Sequence, residues 1–483
     1  MHRLLLAVLC CLTLIPLPAG EAILRNPLGG LIEPPIDWST YPRPVKLGKT
    51  TDELKHPTTK AFIMKYLMWT PDKLPEKKHL GLLVCFHGFT GNETHFGFAY
   101  DSMKAANVAE HFLVISLKSK GAGWAKEDES DVLKTIDWVK SVYPIDPRRV
   151  FIWGMSNGGW MVSDFGGKHQ DLIAGIARYC GYPPTAPTVK DAAATQTEYY
   201  LVHGDADPDV GVDGSRNLRR SLRSVGYNYV YREIDGGGHV NILDHKNVRE
   251  DVCRWMDALR HKQIPLNADE EKFLKGLSDV KKADAALKKP DTWGELLRIG
   301  GPQAGQIVAR AFKAESPAVR ENAALACTRC VFAGEPTVAG LIDLLDDKNA
   351  GVREAAIKAL GVFANWRYES AQMALGKIAL KPLKSKGVQD ERGAATLLLA
   401  DAARLPMLGN YDDDLPLFQA LLALMDDDAK GLREAAFAPL VATVKDGLGY
   451  DPTKTDKERA GAISKWMAWF TSKASAEGKG QKR

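Results

Sequence analysis

Four stretches of this chain are apolar almost without interruption and only four or five residues long: Leu82-Leu83-Val84-Cys85-Phe86, Phe112-Leu113-Val114-Ile115-Ser116, Val150-Phe151-Ile152-Trp153 and Glu198-Tyr199-Tyr200-Leu201-Val202. A strand without polar alternation must be covered on both faces, the condition of a strand inside a parallel sheet flanked by helices. Helical patterns lie between the runs, as in residues 130–142, where Val132, Ile136, Val139 and Val142 recur at helical spacing. This alternation predicts an α/β domain over residues 23–264, built on a doubly wound, mostly parallel sheet. An earlier run, residues 61–69, is expected as an antiparallel strand at the sheet edge.

Beyond residue 264 the β-type runs stop. Residues 265–292 are charged and helix-prone and are read as a helical linker; from Trp293 to 472 alanine and leucine dominate. With 483 residues the chain is long enough for two or three cores at ~100–200 residues each. The second part repeats itself: Val319-Arg320-Glu321-Asn322-Ala323-Ala324, Val352-Arg353-Glu354-Ala355-Ala356 and Leu432-Arg433-Glu434-Ala435-Ala436 share one pattern, with a weaker copy at Glu391-Arg392-Gly393-Ala394-Ala395. The arginines are spaced by 33, 39 and 41 residues. A lone helix pair cannot bury its apolar face, whereas stacked neighbours can. The segment resembles HEAT repeats, which implies an all-α solenoid that positions the first domain or binds a protein partner. Pro439 is expected to bend or shorten its helix.

Chemistry concentrates in the first part. Gly154-Met155-Ser156-Asn157-Gly158-Gly159 follows the run ending at Trp153 and precedes a helical stretch. This is a G-x-S-x-G turn in its strand-turn-helix setting, with glycines giving passing chain segments room beside a tightly turned serine. A serine hydroxyl needs a base to take its proton and a carboxylate to orient that base. Asp207 follows the fourth run and takes the acid position, with Asp205 and Asp209 as rivals; His203 is read as structural. His239, on the glycine loop after the β-type run 227–234, takes the base position ahead of His245. Two N–H groups must receive the developing oxyanion. Asn157, directly after the serine, supplies one, and the loop His87-Gly88-Phe89-Thr90-Gly91 supplies the other through Phe89. His87 is expected to brace that loop, and His87 with His95 matches no familiar metal spacing. Lys118, Lys120 and Trp124 are expected to border the substrate cleft.

With these motifs, residues 60–260 look like an α/β-hydrolase. The stretch from Asp146-Pro147-Arg148-Arg149-Val150 to Tyr179-Cys180-Gly181 is similar to the branch of dienelactone hydrolases, polyhydroxybutyrate depolymerases and feruloyl esterases. The resemblance implies an ester substrate, carbohydrate-linked and polymeric esters included, with Ser156 as nucleophile, Asp207 as acid and His239 as base. It implies neither cofactor nor metal. Two rival readings share the motifs: a serine peptidase of dipeptidyl peptidase type, and a hydrolase-fold binding protein without activity.

The remaining features set the context. Residues 1–22 resemble a secretory signal peptide: Arg3, an uncharged apolar run over residues 4–17, then small residues. Export to the periplasm or the extracellular medium is the expectation, with no membrane span in the mature chain. Cys85, Cys180, Cys253, Cys327 and Cys330 are too few and too scattered for a disulfide framework and read as core thiols. A net charge of +4, from 64 basic and 60 acidic residues, lacks the basic footprint of a nucleic-acid binder. Residues 473–483 read as a disordered tail.

Overall fold

The computed structural model describes residues 36–479 except 41–43, 77–78, 183–196, 383–389, 405–410 and 444–446, together with a short antiparallel strand pair, β1 (Leu24–Arg25) and β2 (Leu31–Ile32). The segment read as a signal peptide lies outside the described residues. Eight further strands form one sheet: β3 (Gly48–Lys55), β4 (Phe62–Thr70), β5 (Leu80–Phe86), β6 (Phe112–Lys118), β7 (Ile145–Met155), β8 (Gly175–Tyr179), β9 (Glu198–Gly204) and β10 (Tyr229–Ile234). Their order is β3-β4-β6-β5-β7-β8-β9-β10. β4 runs antiparallel to both neighbours, and β6 through β10 are parallel. The strand expected at the edge, β4, is therefore one place in. The edge is β3, whose Gly-Lys-Thr-Thr-Asp-Glu-Leu-Lys sequence has no apolar run because only Leu54 is buried.

Strand alternation divides the core. Leu83 and Cys85 of β5 point to one face, under α1 (Gly97–Ala105) and α5 (Lys246–Ala258). Leu82, Val84 and Phe86 point to the other, under α2 (Glu129–Val142), α3 (Asn157–Lys168) and α4 (Asp213–Ser224). With both faces covered, every residue of β5 and β9 is buried, which is why these strands carry so few polar side chains.

Among the described residues, helices alone follow β10 and α5: α6 (Ala268–Leu277), α7 (Val280–Leu287), α8 (Pro290–Ile299), α9 (Gly301–Ala311), α10 (Pro317–Ala326), α11 (Glu335–Asp343), α12 (Ala350–Asn365), α13 (Glu369–Ala379), α14 (Glu391–Arg404), α15 (Tyr411–Leu424), α16 (Lys430–Thr443) and α17 (Asp456–Lys479). Three of the four repeated arginines have the same task, and Arg392 donates to Ala379 O. Arg320 donates to the carbonyls of Ala314 and Glu315, Arg353 to those of Asp347 and Lys348, and Arg433 to those of Asp427 and Asp428. Most then reach a carboxylate further along the stack: Arg320 to Asp347, Arg353 to Glu391 and Arg392 to Asp427. α16 continues through Pro439 instead of ending there. α17 runs to Lys479, so helix occupies most of the segment read as a disordered tail; its alanines, lysines and glutamate are good helix formers. Among the described residues no helix is long and apolar enough to cross a membrane.

The charged stretch 265–292 does more than connect. Glu270 of α6 is buried between Arg148 and Arg298, and Leu274, Leu277 and Leu287 belong to the apolar cluster that runs from the α1/α5 face into the repeats. Further on, Asp251 of α5 accepts from Tyr200, Arg232, Asn365 and Trp366, so β9, β10, α5 and the end of α12 meet at one buried carboxylate.

Candidate active site

Open parallel sheets place reactive groups in loops at the carboxyl ends of their strands, and the loops after β5, β7, β9 and β10 converge here. Met155 ends β7, and Ser156 follows at φ 57°, ψ −119°, a conformation that L-residues adopt only under constraint. Its amide donates to Tyr179 O, and α3 starts at the next residue. The turn has no room for side chains: a methyl on Gly154 would lie 2.2 Å from Gly158 O, and one on Gly158 would lie 2.0 Å from Phe86 O.

Ser156, His239 and Asp207, 83 and 32 residues apart in successive steps, form one hydrogen-bonded series. His239 Nδ1 lies 2.7 Å from Asp207 Oδ2, which can only accept, so the proton sits on Nδ1. Nε2 then has a lone pair for the Ser156 hydroxyl, 2.8 Å away. The Asp207 side chain is fully buried and its Oδ1 accepts from the amides of Asp209 and Val210. Burial pushes its pKa up, but the Val210 amide, the His239 ring and the Asp209 amide outweigh this and hold it below the usual carboxylate value. The serine can thus pass its proton to a base whose positive charge a fixed carboxylate would stabilise.

The model of the prolyl oligopeptidase family matches residues 120–183, which carry the Ser156 turn, and the HEAT repeat model matches residues 338–366. The chain joins an α/β-hydrolase domain to C-terminal helical repeats. It is 28% identical over 169 residues to a protein of Nocardia uniformis subsp. tsuyamanensis named as an esterase, NocK, covering 32% of this chain and 47% of that one. It is 26% identical over 145 residues to an Oryza sativa subsp. japonica protein named as an inactive carboxylesterase, covering 28% and 58%. It is 22% identical over 287 residues to a protein of Ajellomyces capsulatus (strain NAm1 / WU24) named as dipeptidyl-aminopeptidase B, covering 50% and 30%. The chain spans about half the length of the first two of these curated relatives.

The rivals for the acid and base have other tasks in the hydrolase domain. Asp205 accepts from the Gly236 amide and ties its loop to the His239 loop, and Asp209 is exposed. His245 sits at the start of α5. His203 is wholly buried; Nε2 donates to Val210 O (2.8 Å) and Nδ1 accepts from Ser215 Oγ (2.6 Å), which accepts in turn from Arg178. His87 donates from Nδ1 to Gly88 O and accepts at Nε2 from the Ser119 amide, so both nitrogens are engaged in bracing its loop. Burial pushes both rings down to about 4, which keeps them neutral. Among the described residues one trio, Cys180, Asp207 and His239, has metal-ligand atoms within 4.8 Å of one another. It does not suit a cation: burial pushes the Cys180 thiol up to about 12, it donates to His239 O, and both His239 nitrogens are taken.

Among the described residues, neither the Phe89 nor the Asn157 amide has a hydrogen-bond acceptor. The loop carrying Phe89 runs beside the serine, with a Gly88 methyl placed 3.4 Å from Ser156 Cβ. Phe89 and Val240, each adjoining this site, are the most exposed large apolar side chains among the described residues, at 65% and 62%. The expected cleft border is different from this. Trp124 is only 4% exposed; Lys118 Nζ donates to Ser119 O and Gly121 O, and Lys120 pairs with Asp131. Lys118 serves its own loop and Lys120 ties that loop to the neighbouring helix, whereas the indole of Trp124 is buried against the loop after β5, where it donates to His87 O. Ser119, Ser215 and Arg178 escaped the sequence reading because no spacing along the chain signals their contacts.

Proposed function

We propose that this chain is an exported serine hydrolase that cleaves carboxylic esters by way of an acyl-enzyme, with helical repeats that position the enzyme or bind a partner. The observation that carries the reading is the series Ser156 Oγ, His239 Nε2, His239 Nδ1, Asp207 Oδ2, with both links under 3 Å. Ser156 Oγ attacks the acyl carbonyl as Nε2 takes its proton, and Asp207 stabilises the imidazolium. The oxyanion forms between the Phe89 and Asn157 amides. Collapse expels the alcohol, which takes the proton from Nε2; water then repeats the sequence on the acyl-enzyme and frees the acid and Ser156. The apolar side chains of Phe89 and Val240 suit an ester with an apolar part. Export is supported by the signal-like residues 1–22.

The prolyl oligopeptidase match and the dipeptidyl-aminopeptidase relative favour a second reading, peptide-bond cleavage at the same serine. A fluorophosphonate probe mapped by mass spectrometry is expected to modify Ser156. Ser156→Ala should lower hydrolysis of a short-chain nitrophenyl ester by ~10⁴-fold or more; unchanged turnover refutes the nucleophile. Faster cleavage of an aminoacyl nitroanilide than of the ester selects the peptidase.

A further inference from the structure

We propose that Trp124 is a positioning residue of the oxyanion pocket, holding its two donor segments at a fixed separation; this rests on the reading of Ser156 as nucleophile. The donors belong to different parts of the fold, Phe89 to the loop after β5 and Asn157 to the turn after β7. Oxyanion donors act only if they are already in place when charge develops, and a misplacement of about 1 Å can cost 10²-fold. The sheet pairs β5 with β7 as far as Phe86 and Gly154, so a contact beyond the strand ends is what can fix the two donors themselves.

Trp124 touches both. Its backbone N–H donates to Asn157 Oδ1 (2.5 Å), and Asn157 Nδ2 donates back to Trp124 O (3.4 Å). Its indole Nε1–H donates to His87 O (3.0 Å), and the ring meets Phe86 edge-on at 4.9 Å. The rest of its loop repeats the attachment: Ala122 O accepts from the Thr90 amide (2.6 Å), and the Ser119 amide donates to His87. Gly123 is wedged between the two donor residues, since a methyl there would lie 2.6 Å from Asn157 Oδ1 and 2.8 Å from Phe89 Cδ2. A buried ring does not reach the substrate, so Trp124 acts through Asn157 and His87.

Trp124→Phe keeps a ring and removes the N–H to His87. It should lower kcat by about 10- to 100-fold with KM close to wild type. Affinity for a tetrahedral oxyanion mimic, an alkyl trifluoromethyl ketone, should fall by the same factor as kcat/KM. A ring that only filled the core would lower the thermal midpoint and leave kcat, per active site titrated, and ketone affinity unchanged. Asn157→Ala, which keeps the backbone donor and loses the bond to Trp124, should show the same parallel loss and decides the matter if Trp124→Phe does not fold. Wild-type kcat and ketone affinity in these variants, with Ser156→Ala inactive, overturn the proposal alone. An active Ser156→Ala overturns the reading beneath it.

Discussion

The residues of the candidate site were legible to different depths. Ser156, Asp207 and His239 could be read because each follows a strand-forming run, and strand ends of a parallel sheet share one rim. The place of Trp124 is not legible, because a tryptophan in a polar loop gives no sign of the carbonyl that will accept from its indole. His203 was read as structural, and its contacts carry a consequence for pH. His87 and His203 have folded pKa values of about 4, whereas an unfolded histidine titrates near ~6.5. As pH falls between those values the unfolded chain takes up a proton on each ring and the folded chain does not. The stability that the two neutral rings contribute is thus complete above ~6.5 and is lost progressively down to ~4, by roughly 3 kcal/mol per ring at most. Urea midpoints should drop accordingly between pH 7 and pH 4.5, and His203→Gln should flatten that slope. Equal midpoints at the two pH values would show that the rings titrate normally.

Elements were readable where one physical demand dominated their composition. Buried β5, β6, β7 and β9 announce themselves as apolar runs, and β10 ends the β-type run 227–234. β8 was not singled out, since Gly-Ile-Ala-Arg-Tyr carries a charge that is buried against Ser215 and the Gly181 carbonyl. The repeats show the converse: the arginine recurred visibly, but its purpose lies in carbonyls five and six residues back, which spacing alone does not reveal. Arg353 also bonds Glu391 from the following helix pair, so it joins one repeat to the next. Arg353→Met is expected to cost about 1–3 kcal/mol in equilibrium unfolding, and Arg353→Lys to restore only part, because an ammonium lacks the guanidinium fork. A methionine variant as stable as wild type would remove the arginine from the account of the solenoid.

At the scale of the whole molecule the sequence marks a change at residue 264 but not how the two parts meet. The charges of residues 265–292 look solvent-facing until Glu270 is seen between Arg148 and Arg298. A second tie is Asp251, which neutralises the wholly buried Arg232 and accepts from Asn365 and Trp366 of the repeats. Asp251→Ala takes the counter-charge from that guanidinium and should cost roughly 3–5 kcal/mol. Calorimetry should resolve one transition for the wild-type chain and two for the variant; a single, unshifted transition would mean that the junction contributes little. The seat of Asn365 and Trp366 has a further consequence, because β10 is the last strand of the sheet and Arg232 on it donates to Asn365 O. A fragment trimmed to the first 264 residues would leave that border strand without its guard. Open strand borders invite pairing between molecules, so such a fragment is destined to clump rather than to behave as a smaller version of the whole chain.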